Sequence, residues 1–339
     1  ETHVREISER LGKNGHKVEV ITTDATGKLA KKEFIKEVEI TRFRSFAPGN
    51  AYYISPEIYD YLKHNNFDIV HVHSYHALPA LIAVLSKPRG KIIFTPHYHR
   101  YGHTLFRNIL HIPYHFLGNI IFSRADVVIC VSDYERMMLC KDFPISDKIV
   151  KIPNGVNLAD FENLRKKQEE ITEKILLYVG RLEEYKGVQY LIHALSFLPD
   201  FKLQIVGSGP YANELKQLSR ESNVESRIEW LKYLSRDELL QCYASANIFL
   251  MLSKHEAYGI TVAEALASGT NCIVAKGSAL DEFVDGVMCI GIDGPITVDK
   301  VIDSIQHFSS ELDTKEPNIK HLILDWKEVT DLLEDIYKC

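Results

Sequence analysis

Several features that mark whole classes of protein are scarce or missing in this sequence of 339 residues. Its six cysteines include no Cys-x-x-Cys pair, a pattern typical of buried reduced thiols in a cytosolic protein and not of a disulfide framework. No run of about 18 apolar residues occurs, so no helix is predicted to span a bilayer. No Asp-x-Asp pair follows a predicted strand, so no carboxylate pair is offered there to a divalent ion. We therefore expect a cytoplasmic protein, with any membrane contact at the inner face.

The charge of the chain is unevenly distributed. The formal net charge is −6, but residues 1–165 carry 22 Lys and Arg against 18 Asp and Glu, whereas residues 166–339 carry 18 against 28. Eleven of the 15 histidines also lie in the first half. This imbalance fits an anionic partner or membrane surface near the first half, or a difference between domains that has no function. Nothing is basic enough to indicate nucleic-acid binding.

Strand and helix patterns alternate along the whole chain. Short strand patterns occur at residues 68–73, 91–95 and 248–252, the last an apolar run typical of a buried parallel strand, and helical patterns separate them. The charged segment 163–174 is the natural linker. The sequence thus predicts an α/β fold with two doubly wound, Rossmann-like domains at 1–165 and 166–320, followed by a helix at 321–339 that packs back toward the first domain. Ligands are expected at the carboxyl ends of the strands, in a cleft between the domains.

The stretch 253–269 organises the predicted second domain. It follows an apolar strand and reads as a loop and a short helix that begins near Gly259 and ends at Gly269. The first N–H groups of such a helix, at Gly259, Ile260 and Thr261, have no intrahelical acceptor and lie at the positive end of the helix dipole, where an anion fits. Glu256 then lies in the loop and Glu264 in the second helical turn. The alternative is that both glutamates are ordinary solvated charges.

Two further loops follow predicted strands of this domain. Arg181 and Lys186 flank a loop after the first strand, and a guanidinium beside an ammonium suits a diphosphate, although both could also be plain surface charges. Gly207 and Gly209 follow the next strand, where glycine permits close approach of a ligand. They do not form a dinucleotide fingerprint, because no third glycine follows at the required spacing.

Taken in order, these motifs resemble glycosyltransferase family 4, the retaining sugar-nucleotide transferases of GT-B fold. The resemblance covers nearly the whole chain and rests on the following segments: Asp68-Ile69-Val70-His71-Val72-His73, Ala125-Asp126-Val127-Val128 with Val131-Ser132, Ile152-Pro153-Asn154-Gly155-Val156, Gly180-Arg181-Leu182 with Lys186-Gly187, Val206-Gly207-Ser208-Gly209-Pro210, and Glu256-x7-Glu264 with Ala267-Ser268-Gly269.

The resemblance implies a role for each matching residue on the donor side. Arg181 and Lys186 would hold the diphosphate of a UDP- or GDP-sugar and stabilise the leaving group, so that no metal or other cofactor is expected. Glu264 would accept hydrogen bonds from the ribose, Glu256 would lie beside the transferred sugar, and the amides of 259–261 would complete the donor site. Tyr233 lies where the family places the base, although Lys232 replaces a common glycine there.

On the acceptor side, the resemblance points to histidines of the first domain. His97 in Thr95-Pro96-His97 matches the family's Thr-x-His, whose histidine approaches the anomeric carbon, and we place it with His73, His99 and Arg100 on the acceptor side. A metal site of His97, His99 and His103 is the alternative. His71 and His73 share a strand face, where a structural pair is as plausible as an acceptor contact.

The resemblance implies transfer of a hexosyl unit to a hydroxyl of a glycan, a lipid-linked or a small acceptor, with a GT-B epimerase or a non-catalytic sugar-nucleotide-binding subunit as alternatives. Two departures from the family pattern stand out. The chain begins within a helical pattern, so we expect that the first strand and glycine loop of the N-terminal domain are missing, and residues 276–286 keep the family's glycine-rich segment only loosely. The amphipathic segment 105–122 is predicted either to contact a lipid surface or to pack as a buried helix pair.

Overall fold

The computed structural model describes residues 2–47, 53–98, 105–162, 174–310 and 322–338. The chain divides into two compact units, the first formed by Glu1–Gly155 with Trp326–Cys339 and the second by Val156–Asp325. The division at residue 155 falls before the predicted boundary at 165, and the linker 163–174 lies, except for Lys174, outside the described residues.

The first unit is an alternation of helices and strands. In chain order it contains α1 (Thr2–Lys13), β1 (Val18–Asp24), β2 (Lys32–Ile35), β3 (Val38–Arg44), α2 (Glu57–His64), β4 (Ile69–His73), α3 (Leu78–Leu85), β5 (Lys91–Thr95), α4 (Leu105–Arg124), β6 (Val127–Cys130), α5 (Asp133–Asp142) and β7 (Ile149–Lys151).

Parallel pairing dominates the sheets of this unit. One sheet has the order β4-β5-β6-β7, all parallel, and a second has the order β1-β3-β2, in which β2 alone is antiparallel. The core between sheet and helices is rich in aromatic rings, since Tyr75, Phe94 and Phe122 are all at most 2% exposed. The carboxyl ends of β4 and β5 lie side by side, because His73 pairs with Thr95.

The second unit follows the short strand β8 (Gly155–Val156). Its elements in chain order are α6 (Leu158–Glu162), β9 (Lys174–Val179), α7 (Val188–Leu195), β10 (Phe201–Val206), α8 (Ala212–Glu221), β11 (Ile228–Leu231), α9 (Arg236–Ser245), β12 (Ile248–Met251), α10 (Ile260–Ser268), β13 (Asn271–Ala275), β14 (Cys289–Ile292), α11 (Val298–Ser310) and β15 (Leu324–Asp325). The last helix, α12 (Trp326–Lys338), belongs to the first unit.

Six parallel strands in the order β11-β10-β9-β12-β13-β14 form the sheet of the second unit. The central strands β9, β12 and β13 are apolar and buried on both faces for most of their length, as expected for a sheet covered by helices on both sides. Leu177, Leu203, Phe249 and Ile273 are fully buried. The doubly wound α/β prediction is thereby confirmed for this unit.

The sequence pattern missed some elements and misjudged one. Strand β2 is a charged edge strand without an apolar alternation, and β14 follows a loop that carried no strand signal. The segment 105–122, which the sequence pattern interrupts, is part of one 20-residue helix, α4, which continues through Pro113. Its last turns are packed inside the first unit, since Ile121 and Phe122 are 0% exposed. The alternative of a buried helix is therefore observed at the C-terminal end of the segment, at Ile121 and Phe122.

Candidate active site

The second unit has a topological switch point at the centre of its sheet. From β9 the chain proceeds outward through β10 and β11, and then returns to the other side of β9 for β12, β13 and β14. The loops after β9 and β12 therefore leave the carboxyl edge of the sheet as neighbours. A crevice at this point is the usual ligand position in open parallel sheets, and both predicted charged loops lie there.

The loop after β9 presents the predicted diphosphate ligands. Its entrance is fixed because the hydroxyl of Tyr178 donates to the carbonyl oxygen of Arg181 (2.9 Å). The Arg181 side chain is 70% exposed and pairs at the surface with Glu183 (2.9 Å). A short 3-10 turn, Glu184–Lys186, then carries Lys186 back toward the sheet. The exposed guanidinium is thus accessible to a ligand, while the ammonium is held close to the strand ends.

The structure brings Lys186 and Glu256 together as an ion pair between Nζ and Oε1. The two side chains are only 13% and 16% exposed, so the pair is shielded from solvent on most sides. The N–H of Lys254 also donates to the carbonyl oxygen of Tyr185 (2.9 Å), which joins the two loops through their backbones. Loops that are about 70 residues apart in sequence therefore form one connected edge.

Helix α10 begins and ends where the sequence predicts. Gly259 is the N-cap with φ of 104°, a left-handed conformation that only glycine adopts without strain, and Gly269 is the C-cap. Val262 and Ala263 both donate their N–H groups to the carbonyl oxygen of Gly259 (2.9 and 3.2 Å). The N–H groups of Gly259, Ile260 and Thr261 therefore precede the first intrahelical bonds and remain at the positive end of the helix.

Glu264 is not a free acceptor, and its partners were missed by the sequence analysis. Its carboxylate accepts from the Arg236 guanidinium (2.5 Å) and from the Tyr243 hydroxyl (2.9 Å). The same guanidinium donates to Asp160 (3.1 Å). Burial is the largest single influence on the pKa of Arg236 and lowers it, but the carboxylates of Glu264 and Asp160 together outweigh burial, so the pKa is raised. Arg236 and Tyr243 are seven residues apart on α9, two turns on one helix face, which is the signal that could have identified them.

The remaining residues predicted to bind the donor follow strands of the same sheet, at its carboxyl edge. Gly207 follows β10, has φ of 143° and donates its N–H to the carbonyl oxygen of Leu231 (2.7 Å). A Cβ atom at Gly207 would lie 1.9 Å from the carbonyl oxygen of Gly180, so glycine is required there by close backbone approach. Tyr233, two residues beyond β11, is 89% exposed, and its ring is available for stacking on a ligand.

In the first unit, the rings of His73 and His97 lie close together, with centroids 6.0 Å apart, and a third histidine joins them. The ring centroid of His3, in α1, lies 5.2 Å from that of His73 and 5.3 Å from that of His97. Burial lowers the pKa of His97 to about 3 and that of His3 to about 4. The predicted acceptor residues His99 and Arg100, and His103 of the alternative metal site, lie outside the described residues.

His71 and His73 behave differently although they share a strand face. Their rings stack with centroids 4.2 Å apart. The two ring nitrogens of His71 are bonded to the hydroxyls of Tyr337 (2.7 Å) and Thr95 (2.8 Å), so His71 is a satisfied structural residue. The Nδ1 atom of His73 is buried and has no protein partner within the described residues.

The backbone around His97 is strained and externally held. His97 has φ of 47°, an uncommon left-handed conformation for a residue with a side chain. The next N–H, of Tyr98, donates to the carboxylate of Glu135, which also accepts from Val131 N–H (2.7 Å). Burial raises the pKa of Glu135 to about 7, although these N–H donors act in the opposite direction. Glu135, absent from the sequence-based site, thus fixes the peptide that follows His97.

Two family matches together cover residues 1–316 of the chain. Residues 1–160 match Glycosyltransferase Family 4, and residues 160–316 match Glycosyl transferases group 1. The chain belongs to this family of GT-B glycosyltransferases, and it is an enzyme of the hexosyltransferase class that transfers sugar from a nucleotide sugar.

Individual relatives refine this picture. The chain is 26% identical over 309 residues to the alpha-monoglucosyldiacylglycerol synthase of Streptococcus pneumoniae (85% of this chain, 70% of the relative). It is 27% identical over 312 residues to the N-acetyl-alpha-D-glucosaminyl L-malate synthase of Bacillus anthracis (84% and 78%). Anabaena HepE, solved in complex with UDP and glucose, shares the fold with a TM-score of 0.74 at 16% identity (95% and 100% of the two chains).

Among the described helices, none combines the length and the hydropathy needed to cross a bilayer.

Proposed function

We propose that this enzyme transfers a hexosyl unit, with retention of anomeric configuration, from a UDP- or GDP-sugar to a hydroxyl of a glycan, lipid-linked or small-molecule acceptor, without a metal ion at the diphosphate. The observation that carries the proposal is the Lys186–Glu256 pair at the switch point of the second unit. Few structural roles explain a shielded ion pair at the position where open parallel sheets bind ligands.

The diphosphate has three sources of positive potential in this proposal. Lys186 is close to the strand ends, Arg181 is exposed and can fold over a ligand, and the N-terminus of α10 adds its amides. Each compensates negative charge as it accumulates on the leaving group, which is why a divalent ion is not required there. Glu256 then holds Lys186 in place before the donor binds and faces the transferred sugar afterwards.

The nucleoside is assigned to the other side of α10. Glu264 is the ribose ligand, positioned by Arg236 and Tyr243, and Tyr233 provides an exposed ring for the base. Anabaena HepE, which shares the fold, was solved with UDP bound, and this favours UDP over GDP as the first donor nucleotide to test here.

The chemical step is a substitution at the anomeric carbon. The bond from this carbon to the diphosphate oxygen breaks, the bond to the acceptor oxygen forms on the same face, and the departing phosphate oxygen takes the acceptor proton. His97 is assigned to positioning the sugar, because burial keeps its imidazole neutral and the strained peptide around it is held by Glu135.

The acceptor is the least constrained part of the proposal. One relative is named for a diacylglycerol product and another for an L-malate product, so hydroxyls of lipids and of small acids both belong in a screen. The membrane contact of residues 105–122 and the cytoplasmic location stay predictions. Liposome flotation at low salt tests the membrane contact. If the protein does not float with liposomes of any lipid composition, the predicted membrane contact is wrong.

The decisive experiment measures binding before turnover. A thermal-shift panel of UDP, GDP and their hexose conjugates identifies the nucleotide, and mass detection of product then follows the matching donor with lipid and small acceptors. The Arg181→Ala/Lys186→Ala double variant is expected to lose at least about 100-fold in transfer. Undiminished transfer by that variant would refute the proposal, and isomerised free sugar without an acceptor would indicate an epimerase instead.

A further inference from the structure

One side chain at the carboxyl edge of the first unit's parallel sheet has no counterpart among the residues predicted from the sequence. His73 ends β4 and His97 follows β5, and both belong to the predicted acceptor side. His3, from the first turn of α1, lies beside them and was not predicted. All three residues are half-buried, so a ligand can reach this edge.

The hydrogen bonding of His3 determines which of its ring nitrogens carries the proton. Nδ1 is bonded to Asn154 Oδ1 (2.5 Å), and because an amide oxygen only accepts, Nδ1 donates and Nε2 holds the lone pair. Burial lowers the pKa of His3 to about 4, so the ring is neutral at neutral pH and keeps that lone pair. His3 therefore presents a hydrogen-bond acceptor at Nε2.

This acceptor and a nitrogen of His73 both lack partners. Nε2 of His3 and Nδ1 of His73 are buried, and neither is hydrogen-bonded within the described residues. Buried polar atoms are normally satisfied, as both nitrogens of the adjacent His71 are. Because an unpaired buried polar atom is costly, two of them beside His97, the residue assigned to sugar positioning, indicate a polar group that arrives with a ligand.

A hydroxyl is the ligand group that suits both nitrogens. Its O–H can donate to the lone pair of His3, and its oxygen can accept from His73 when that ring carries its proton on Nδ1. A carboxylate, phosphate or carbonyl oxygen has no proton to donate, so it would leave His3 unpaired.

The spacing of the rings agrees with a bridging hydroxyl. An oxygen about 2.8 Å from each of two nitrogens, at a tetrahedral angle, holds those nitrogens roughly 4.6 Å apart. One ring nitrogen from each of His3, His73 and His97 lies within 4.8 Å of the other two. The rings therefore need little movement to receive one oxygen between them.

We propose that His3 binds a sugar or polyol hydroxyl through Nε2, with Asn154 holding the ring in the required tautomer and His73 Nδ1 contacting the same oxygen. This inference rests on the proposed function, because the hydroxyl belongs either to the transferred sugar or to the acceptor. His3 is then a specificity residue that selects a neutral, hydroxyl-bearing group at this position and disfavours an anionic one.

Calorimetry and kinetics on the full-length protein distinguish the two sources of the hydroxyl. If it belongs to the donor, His3→Phe should lower the affinity for the nucleotide hexose about 5- to 10-fold and leave that for the nucleoside diphosphate within about 2-fold. If it belongs to the acceptor, donor affinity is unchanged and the acceptor KM rises by the same factor. Tyr337→Phe, which removes one partner of His71 and leaves His3 and His73 intact, is the matched control and should change neither.

Monodeoxy sugars test the same contact from the ligand's side. One monodeoxy analogue of the donor or acceptor should bind the wild type about 5- to 10-fold more weakly than the parent sugar does, and this difference should vanish in His3→Phe. Asn154→Leu keeps the ring but removes its orienting partner, so it should show a smaller loss of the same kind. It replaces His3→Phe if circular dichroism shows that the latter does not fold.

The outcomes separate this inference from the proposed function. Unchanged donor affinity and acceptor KM in the folded variants, with nucleotide binding and transfer intact, would overturn the role of His3 alone. Absence of nucleotide binding and of transfer in the wild type would overturn the proposed function and this inference with it.

Discussion

Replacing Gly207 by alanine tests whether backbone contact between two strand ends supports the donor site. The added Cβ would lie 1.9 Å from the carbonyl oxygen of Gly180, whereas a comfortable carbon–oxygen contact is about 3.3 Å. The ends of β9 and β10 must therefore separate by roughly 1.4 Å. Such overpacking costs about 1–3 kcal/mol, and the φ of 143° adds about 1–3 kcal/mol for a residue with a side chain. We expect the variant to lose about 4 kcal/mol of unfolding free energy.

A matched glycine separates the contact from the backbone strain. Gly277 also has a left-handed φ, 99°, but a Cβ built there meets nothing within 4 Å. Gly277→Ala should therefore lose only about 2 kcal/mol. Of the two tryptophans, only Trp230 lies in the second unit, so urea unfolding followed by its fluorescence in a Trp326→Phe background reports on that unit.

The effect of Gly207→Ala on transfer activity can be measured separately from its effect on stability. Gly180 immediately precedes Arg181, so a shift of about 1 Å at that carbonyl displaces the guanidinium and is expected to lower kcat/KM by about 100-fold at temperatures where the variant remains folded. Gly277→Ala, assayed under the same conditions, should retain most of its activity. Equal stability of the two variants, or full transfer activity in folded Gly207→Ala, would refute the reasoning.

Four other substitutions give three distinct predictions. Lys186→Met and Glu256→Gln should each lower the free energy of unfolding by about 1–3 kcal/mol, because each leaves a shielded charge unpaired. In a double-mutant cycle, the double variant should lose less unfolding free energy than the sum of the two single losses. Its transfer activity should nevertheless stay at least about 100-fold reduced. Recovery of transfer in the double variant would contradict the assigned role. Glu264→Gln weakens a charged hydrogen bond worth about 2 kcal/mol, so calorimetry should show nucleoside diphosphate affinity falling about 30-fold; an unchanged affinity would exclude ribose binding there. Glu135 has a pKa raised to about 7, so its contribution to stability is present below about pH 4.5 and is lost as pH rises to 7. Relative to Glu135→Gln, the wild type should lose about 3 kcal/mol of unfolding free energy between pH 4 and 8, and parallel pH profiles would argue against this.

Local sequence signals were sufficient for much of the second unit. The caps Gly259 and Gly269 predicted α10 at both ends, and the apolar runs predicted strands β9, β10, β12 and β13, because capping and periodicity depend on neighbouring residues only. Local sequence signals failed where tertiary packing determines the secondary structure. Strand β2 is charged and exists through its pairing with β3, and α4 keeps its course through Pro113.

For the candidate site too, some features can be predicted from the sequence and others only from the folded structure. The motifs predict the loop residues Lys186 and Glu256 as site residues, and the structure adds that they form one ion pair. The partners of Glu264 and the joining of His3 to Asn154, which are 151 residues apart, depend on the three-dimensional course of the chain. No periodicity along the sequence encodes such contacts, so only the folded structure could reveal them.

The return of α12 to the first unit has a consequence for biosynthesis. This helix contacts α1, and its residues Trp326, Val329 and Leu333 are at most 2% exposed. A nascent chain thus lacks part of the first unit's interior until α12 has left the ribosome, whereas every strand of the second unit's six-stranded sheet has by then been made. The half that is synthesised first is therefore the half that finishes folding last, against the usual N-terminal order of domain folding during translation.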